Sequence, residues 1–303
     1  MKPLVALLVA QVVLGLGVVV AASQDFFGIG QHAEPAPTAA IRPAVDRFDA
    51  DRAFRLIEQQ VALGPRPAGS EASRALGDRL VGLLPHGRFE ALGPTHPGLR
   101  NVVGSIPGRG KAIVVGAHYD TEATIPGHVG ANDGAAGTAA VVEIARALKR
   151  DRRLRPRSGR PVVFVLFDGE EEPPGGDGYV DGLRGSRAYV RAHRGRTGDM
   201  VLLDYIANKG ARFRREGGSN RELWERLRTA ARRVGAGALF PAGTQPRTIY
   251  DDHTSFTETG VRAIDVIDFD YEHRDTTRDT PDKLSRAELD GVGESVLVLT
   301  RGL

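Results

Sequence analysis

Several short apolar runs in this chain end in acidic or imidazole side chains, the residue types that hold metal ions and move protons. The run AIVVGA leads into His118-Tyr119-Asp120. Residues two apart on an extended chain point the same way, so Asp120 can fix the tautomer of His118. Further on stand Asn132-Asp133-Gly134, then Asp168-Gly169-Glu170-Glu171-Glu172 after FVLF, and then Asp204 inside VLLDYI. An ionised carboxylate such as Asp204 is rarely buried without a partner. Taken singly, a histidine after a strand is usually structural and a triple glutamate is usually a solvated turn. Brought to one edge, these groups would repel one another unless a cation lay between them. Adjacent glutamates then divide the work, one binding the metal while its neighbour takes a proton from water or from an attacking amine.

The elements that must position these groups follow from the apolar patterning. Asn101 to Ile106, Ala112 to Ala117, Pro161 to Phe167, Met200 to Ile206 and Arg262 to Ile267 read as strands, several without polar alternation and so buried on both faces. Phe54, Ile57 and Val61 share one face of a helix that must stop near Gly64. Ser70 caps a second helix with Leu76, Leu80 and Leu83 in its stripe, a long helix follows from about Gly134 to Lys149, and another closes the chain from Leu284 to Leu299. Strands alternating with helices predict an α/β fold of three layers (αβα) with a central mixed, mainly parallel sheet. Ligands in such folds bind beyond the carboxyl ends of the strands. Asp133 then falls at the start of the long helix, where the dipole and free amides favour an anion.

With 303 residues, 41% of them hydrophobic, the chain suits a globular fold with a large core. A net charge of +3, from 41 basic and 38 acidic side chains, gives no reason to expect nucleic acid as a partner. The arginine-rich stretches at 149–160 and 212–215 read as solvated loops. Cysteine is absent, which removes thiol nucleophiles, disulfides and thiolate metal sites together. Imidazole and carboxylate ligands suit zinc, with manganese or cobalt as substitutes. Leu4 to Ala22 is an almost unbroken apolar run, read as a signal peptide or a membrane anchor over residues 1–22. Either puts the rest of the chain outside the cytoplasm, secreted or anchored, with membrane contact only through that segment. A linker rich in Gly and Pro over 23–44 and a catalytic domain over 45–303 complete the expected organisation.

The pieces GPRPAGS, GAHYDT, GANDGAAGTAAVVEIARAL, FVLFDGEEE, GSRAYV, LLDYIA, DDHTSF and DTPDKLS stand in an order that resembles the family-28 zinc metallopeptidases. That family includes aminopeptidases and glutaminyl-peptide cyclotransferases. The resemblance implies one or two zinc ions, with His118, Asp133 and Glu171 as ligands and Asp133 bridging where there are two. It implies Glu170 as general base and Asp204 as a ligand or a hydrogen-bonding catalytic residue. Asp252 joins the catalytic group, with Asp120, Asp251 and His253 supporting it from behind. The last ligand departs from the family's histidine: in FDYEHRDTTRDTPDKLS that position falls on Asp275, while His273, two residues earlier, is the other candidate. A site too altered for turnover is the third reading. An aminopeptidase acting on the free N-terminus of a peptide or protein is the first expectation. A glutaminyl cyclase releasing ammonia is the second, favoured by Asp251-Asp252-His253, by LLDYIA and by the Gly- and Pro-rich insertion Pro173 to Arg184, a loop at the pocket rim. A membrane-tethered binding ectodomain without catalysis is the third.

Overall fold

The computed structural model describes residues 45–303. The apolar segment and the linker expected over residues 1–22 and 23–44 lie outside the described residues. Six strands form one sheet: β1 (Arg88–Ala91), β2 (Arg100–Ile106), β3 (Ala112–His118), β4 (Val162–Phe167), β5 (Thr197–Leu203) and β6 (Arg262–Val266). Their order is β1-β2-β4-β3-β5-β6. β1 and β2 run antiparallel to their neighbours, while β3, β4, β5 and β6 are mutually parallel. The expected mixed, mainly parallel sheet is therefore what the chain forms.

Every residue of β3 is buried, because helices cover both faces of the sheet. Ile113, Val115 and Ala117 pack on one side with helices α1 (Ala50–Val61), α2 (Glu71–Leu83), α3 (Gly137–Arg150), α6 (Arg221–Arg233) and α8 (Arg286–Gly302). Val114, Met200 and Leu202 face the other side, against Tyr189 of α5 (Arg184–Ala192) and Phe256 of α7 (Asp252–Thr257). One-turn α4 (Gly178–Asp181) lies within the insertion. Asp49 and Ser70 cap α1 and α2 by accepting from Arg52 and Ser73 backbone N–H groups. Among the described residues no helix is long and apolar enough to cross a membrane.

Local differences from the sequence reading bear on the site. β5 ends at Leu203, so Asp204 stands just past a strand end rather than inside a strand; Tyr205 takes φ = 46°, which no strand accommodates. The long helix begins three residues later than expected, at Gly137. It is preceded by a wide turn, Ala131–Ala136, in which Asp133 (φ −82°, ψ 102°) and Gly134 (φ 80°) are not helical. Gly134 is required there, since a Cβ would stand 2.8 Å from the Asp120 carbonyl oxygen and 3.1 Å from the His118 ring. Asp133 is thus turned back toward β3 ahead of the helix and takes no place in its first turn.

Candidate metal centre

His118, the last residue of β3, lies at the meeting point of the carboxylates. Its Nε2 is 3.2 Å from Asp133 Oδ1 and 3.3 Å from Asp204 Oδ1, and all three side chains are buried. His118, Glu170 and Glu171 form an overlapping group whose ligand atoms lie within 4.8 Å of one another. Asp120 contributes differently from its expected role. It stands 3.8 Å from His118 Nδ1, too far to hydrogen bond, and its two oxygens accept from the backbone N–H groups of Glu170 (3.2 Å) and Glu171 (3.3 Å). Asp120 therefore orients the glutamate pair, and the His118 Nδ1 is left buried without a partner. Asp168, the first acid of that run, serves the sheet instead, accepting from the Arg100 N–H at 2.9 Å.

Asp133 is held from every side. The N–H groups of Asn132 and Asp133 donate to Asp279 at 2.9–3.0 Å, so the DTPDKLS segment fixes the turn that presents the carboxylate. Asp133 Oδ2 accepts from the Tyr205 hydroxyl at 2.8 Å and lies 3.0 Å from His128 Nε2. The Tyr205 hydroxyl also lies 2.9 Å from Asp275 Oδ1, which connects Asp275 to Asp133 through one phenol. Asp275 has φ = 52° and pairs with Arg274, its side chain about half exposed on the cleft wall. His273 is not drawn into this group. Among the described residues its side chain makes no hydrogen bond, its Nδ1 is buried unpartnered, and its ring stands edge-on to Tyr271 at 5.5 Å.

Behind Glu170 lies a second buried grouping, Asp251, His253 and Asp265, with Glu216 3.3 Å from His253 Nε2. Asp251 caps α7 and accepts from the Asp252 N–H at 2.5 Å. Both carboxylate oxygens of Asp252 are buried without a hydrogen-bond partner.

The electrostatics follow from this crowding. Burial, with the charges of Asp251 and Asp133, lifts Asp204 to about 7 against its hydrogen bond with His118. Surrounding protein strips water from Glu170 and Glu171, and neighbouring carboxylates add to the effect. Both are held well above the ordinary carboxylate range, although their outer faces open on the cleft. Burial opposes charge on His118, yet Asp120, Asp133 and Asp204 hold its pKa well above the imidazole value. Asp133 is lowered despite its burial, through hydrogen bonds with His118 and His128.

These residues fit zinc. Ligand atoms about 2.1 Å from one tetrahedral ion stand roughly 3.4 Å apart. The separations of His118 Nε2 from Asp133 and Asp204 match that edge, and the donors are all nitrogen and oxygen. The sequence reading missed His128, Tyr205, Asp279, Glu216 and Asp265. Asp265 carried a signal, as an acid inside the buried run of β6, and Asp279 and Tyr205 lie in the pieces DTPDKLS and LLDYIA without having been singled out.

A cleft of about 990 Å³ opens over Glu170, Glu171 and Asp275, and its outer wall includes Tyr179, Arg247 and Tyr250. The rings of Tyr179 and Tyr250 are 4.9 Å apart, which brings the insertion to the rim as expected.

Residues 101–300, more than half of the chain, match the family model described as peptidase family M28. Aminopeptidase YwaD of Bacillus subtilis (strain 168) is 29% identical over 191 residues, 61% of this chain. The chain covers 39% of the length of that relative. Among solved structures, the glutaminyl cyclase of Porphyromonas gingivalis superposes with a TM-score of 0.74 at 28% identity, over 84% of this chain and 99% of that one. A Zn-dependent exopeptidase from Parabacteroides distasonis ATCC 8503 gives 0.73 at 25% identity, over 86% and 100%. Through the family-model match, which spans more than half of its length, the chain belongs to peptidase family M28.

Proposed function

We propose that this protein is a zinc-dependent aminopeptidase that removes the first residue from peptides with a free N-terminus. The observation that carries the reading is the pair Glu170 and Glu171, consecutive, oriented by one carboxylate through their backbone N–H groups, and grouped with His118. His118, Asp133, Asp204 and Glu171 would hold one zinc ion, or two with Asp133 between them. When bound, zinc would supply Lewis acidity, making water a better nucleophile and the scissile carbonyl a better electrophile. Glu170 takes the proton of the attacking water as the C–O bond forms. It returns that proton to the leaving nitrogen as the C–N bond breaks. Burial raises its pKa above the ordinary carboxylate range. Asp275 and Tyr205 place negative charge and a hydroxyl beside Asp133, where an α-ammonium group would be received. The cleft of about 990 Å³ over Glu170 and Glu171 leaves room for residues after the first.

A glutaminyl cyclase is the second reading, favoured by the full-length likeness to the Porphyromonas gingivalis cyclase and by Asp251 and Asp252 buried close behind Glu170. There the substrate's own amine attacks the γ-carboxamide, and linked carboxylates carry its proton to departing ammonia. The two separate in one experiment on the zinc-loaded protein. Release of free amino acid from unblocked leucyl and alanyl peptides is expected. Ammonia release from N-terminal glutamine with no free amino acid would replace the first reading by the second. Neither product would favour a binding ectodomain and overturn both.

A further inference from the structure

We propose that His128 supplies the imidazole that the family's last ligand position lacks, binding metal on the Oδ2 side of Asp133 opposite His118. This inference rests on the zinc reading above and extends it to a residue outside the family's motif.

His128 is fully buried, in the loop between β3 and the turn that presents Asp133. Its Nδ1 lies 2.9 Å from the Thr276 carbonyl oxygen. A carbonyl only accepts, so Nδ1 carries the hydrogen and a neutral ring presents a bare lone pair at Nε2. Nε2 stands 3.0 Å from Asp133 Oδ2, where that lone pair would face the carboxylate, and the Tyr205 hydroxyl already donates to the same oxygen. Two acceptors do not rest at that distance unless a positive charge joins them. Backing of one ring nitrogen by a carbonyl while the other faces a carboxylate is how metal-binding histidines are held. The 3.0 Å separation is close to the roughly 3.4 Å between ligands of one tetrahedral zinc.

The surroundings support the same assignment. Asp133 has one imidazole Nε2 at each oxygen, His118 at Oδ1 and His128 at Oδ2, as a bridging carboxylate requires. Thr276 directly follows Asp275, so His128 is tied to the segment that carries the family's last ligand position, but from another loop. The loop is pinned: buried Arg66, from the GPRPAGS segment, donates to the carbonyls of Val129 at 2.8 Å and Gly130 at 3.3 Å. Asp275, linked through the Tyr205 hydroxyl, stays within reach as the nearby counter-charge.

A charged imidazolium would satisfy the same contacts without metal, and direct ligation is what the experiment reads. The full-length protein, labelled with ¹⁵N in its histidine rings and loaded with ¹¹³Cd, is expected to show two imidazole nitrogens coupled to cadmium. His128→Gln should remove one of them and lower bound zinc by one ion or weaken it more than about 100-fold in chelator competition. His273→Ala should leave both couplings intact. A single coupled nitrogen in the unmodified protein, or a second one lost in His273→Ala, overturns the proposal even if His128 variants do not fold. A His128→Gln protein with full zinc content and affinity overturns it while leaving the aminopeptidase reading in place. Failure of the unmodified protein to bind zinc or cadmium overturns both.

Discussion

In the proposed reading, Glu170 and Glu171 are chemically identical neighbours given different work on one turn. Asp120 fixes that turn through both backbone N–H groups. Glu170→Gln keeps the shape and removes the proton acceptor, so kcat for peptide hydrolysis should fall by about 10²–10⁴-fold with zinc content unchanged by metal analysis. Glu171→Gln should instead lose zinc. Equal zinc loss in the two variants would show that the roles are not divided this way. The residues legible from sequence, His118, Asp133, Glu170, Glu171 and Asp204, are those a buried strand or the following turn carries to a common edge. His128 and Tyr205 escaped because nothing in their spacing marks either as a partner of Asp133. Their partners are set by contacts far along the chain, such as His128 with Thr276.

Helix α3 begins where β3 and β5 end, and the approach is closer than any side chain permits. A Cβ on Gly137 would lie 2.0 Å from the Leu203 carbonyl oxygen and 3.0 Å from Ala117 Cβ. Gly137→Ala must push the helix away from the strand end that presents Asp204, at a cost of about 2–4 kcal/mol in denaturant unfolding. Gly82 provides the contrast: it is exposed in α2, and a Cβ there would meet nothing within 4 Å. Gly82→Ala should stabilise by about 0.5–1 kcal/mol. If the two changes cost the same, close helix–strand contact is not what holds the site. In the insertion, Tyr179 is 71% exposed and lines the cleft, so Tyr179→Ala should raise KM several-fold for tetrapeptides and leave it unchanged for aminoacyl anilides. Doubly buried strands were plain in the sequence because their apolar runs are continuous. β1 was not, since RFEA is a short edge strand with only partial burial and no apolar run. The turn before α3 was missed because its shape is imposed by Asp279, which lies 146 residues from Asp133.

At the scale of the whole molecule, the sheet concentrates acids at one edge, and that concentration sets how stability depends on pH. Burial raises Asp204 and Asp168 to about 7 and Asp279 to about 6. The folded protein therefore binds protons that the unfolded chain releases above its ordinary carboxylate value of about 3.9. Stability from these groups is fully present below that value and is lost as pH rises through the raised ones, by at most about 1.4 kcal/mol per pH unit for each. His118 acts in the same direction: its raised pKa favours folding below the ordinary imidazole value, and that gain disappears as pH climbs. Asp133 is lowered, so its contribution is lost only in acid, outside this window. Zinc reverses the balance, because its ligands bind as bases and its affinity grows as protons leave. In EDTA the melting temperature should fall between pH 5.5 and pH 8, and the increase produced by added zinc should be larger at pH 8. A melting temperature in EDTA that stays level or rises over that range would mean that the acids are already paired without metal, and that the crowded edge needs no cation to hold it together.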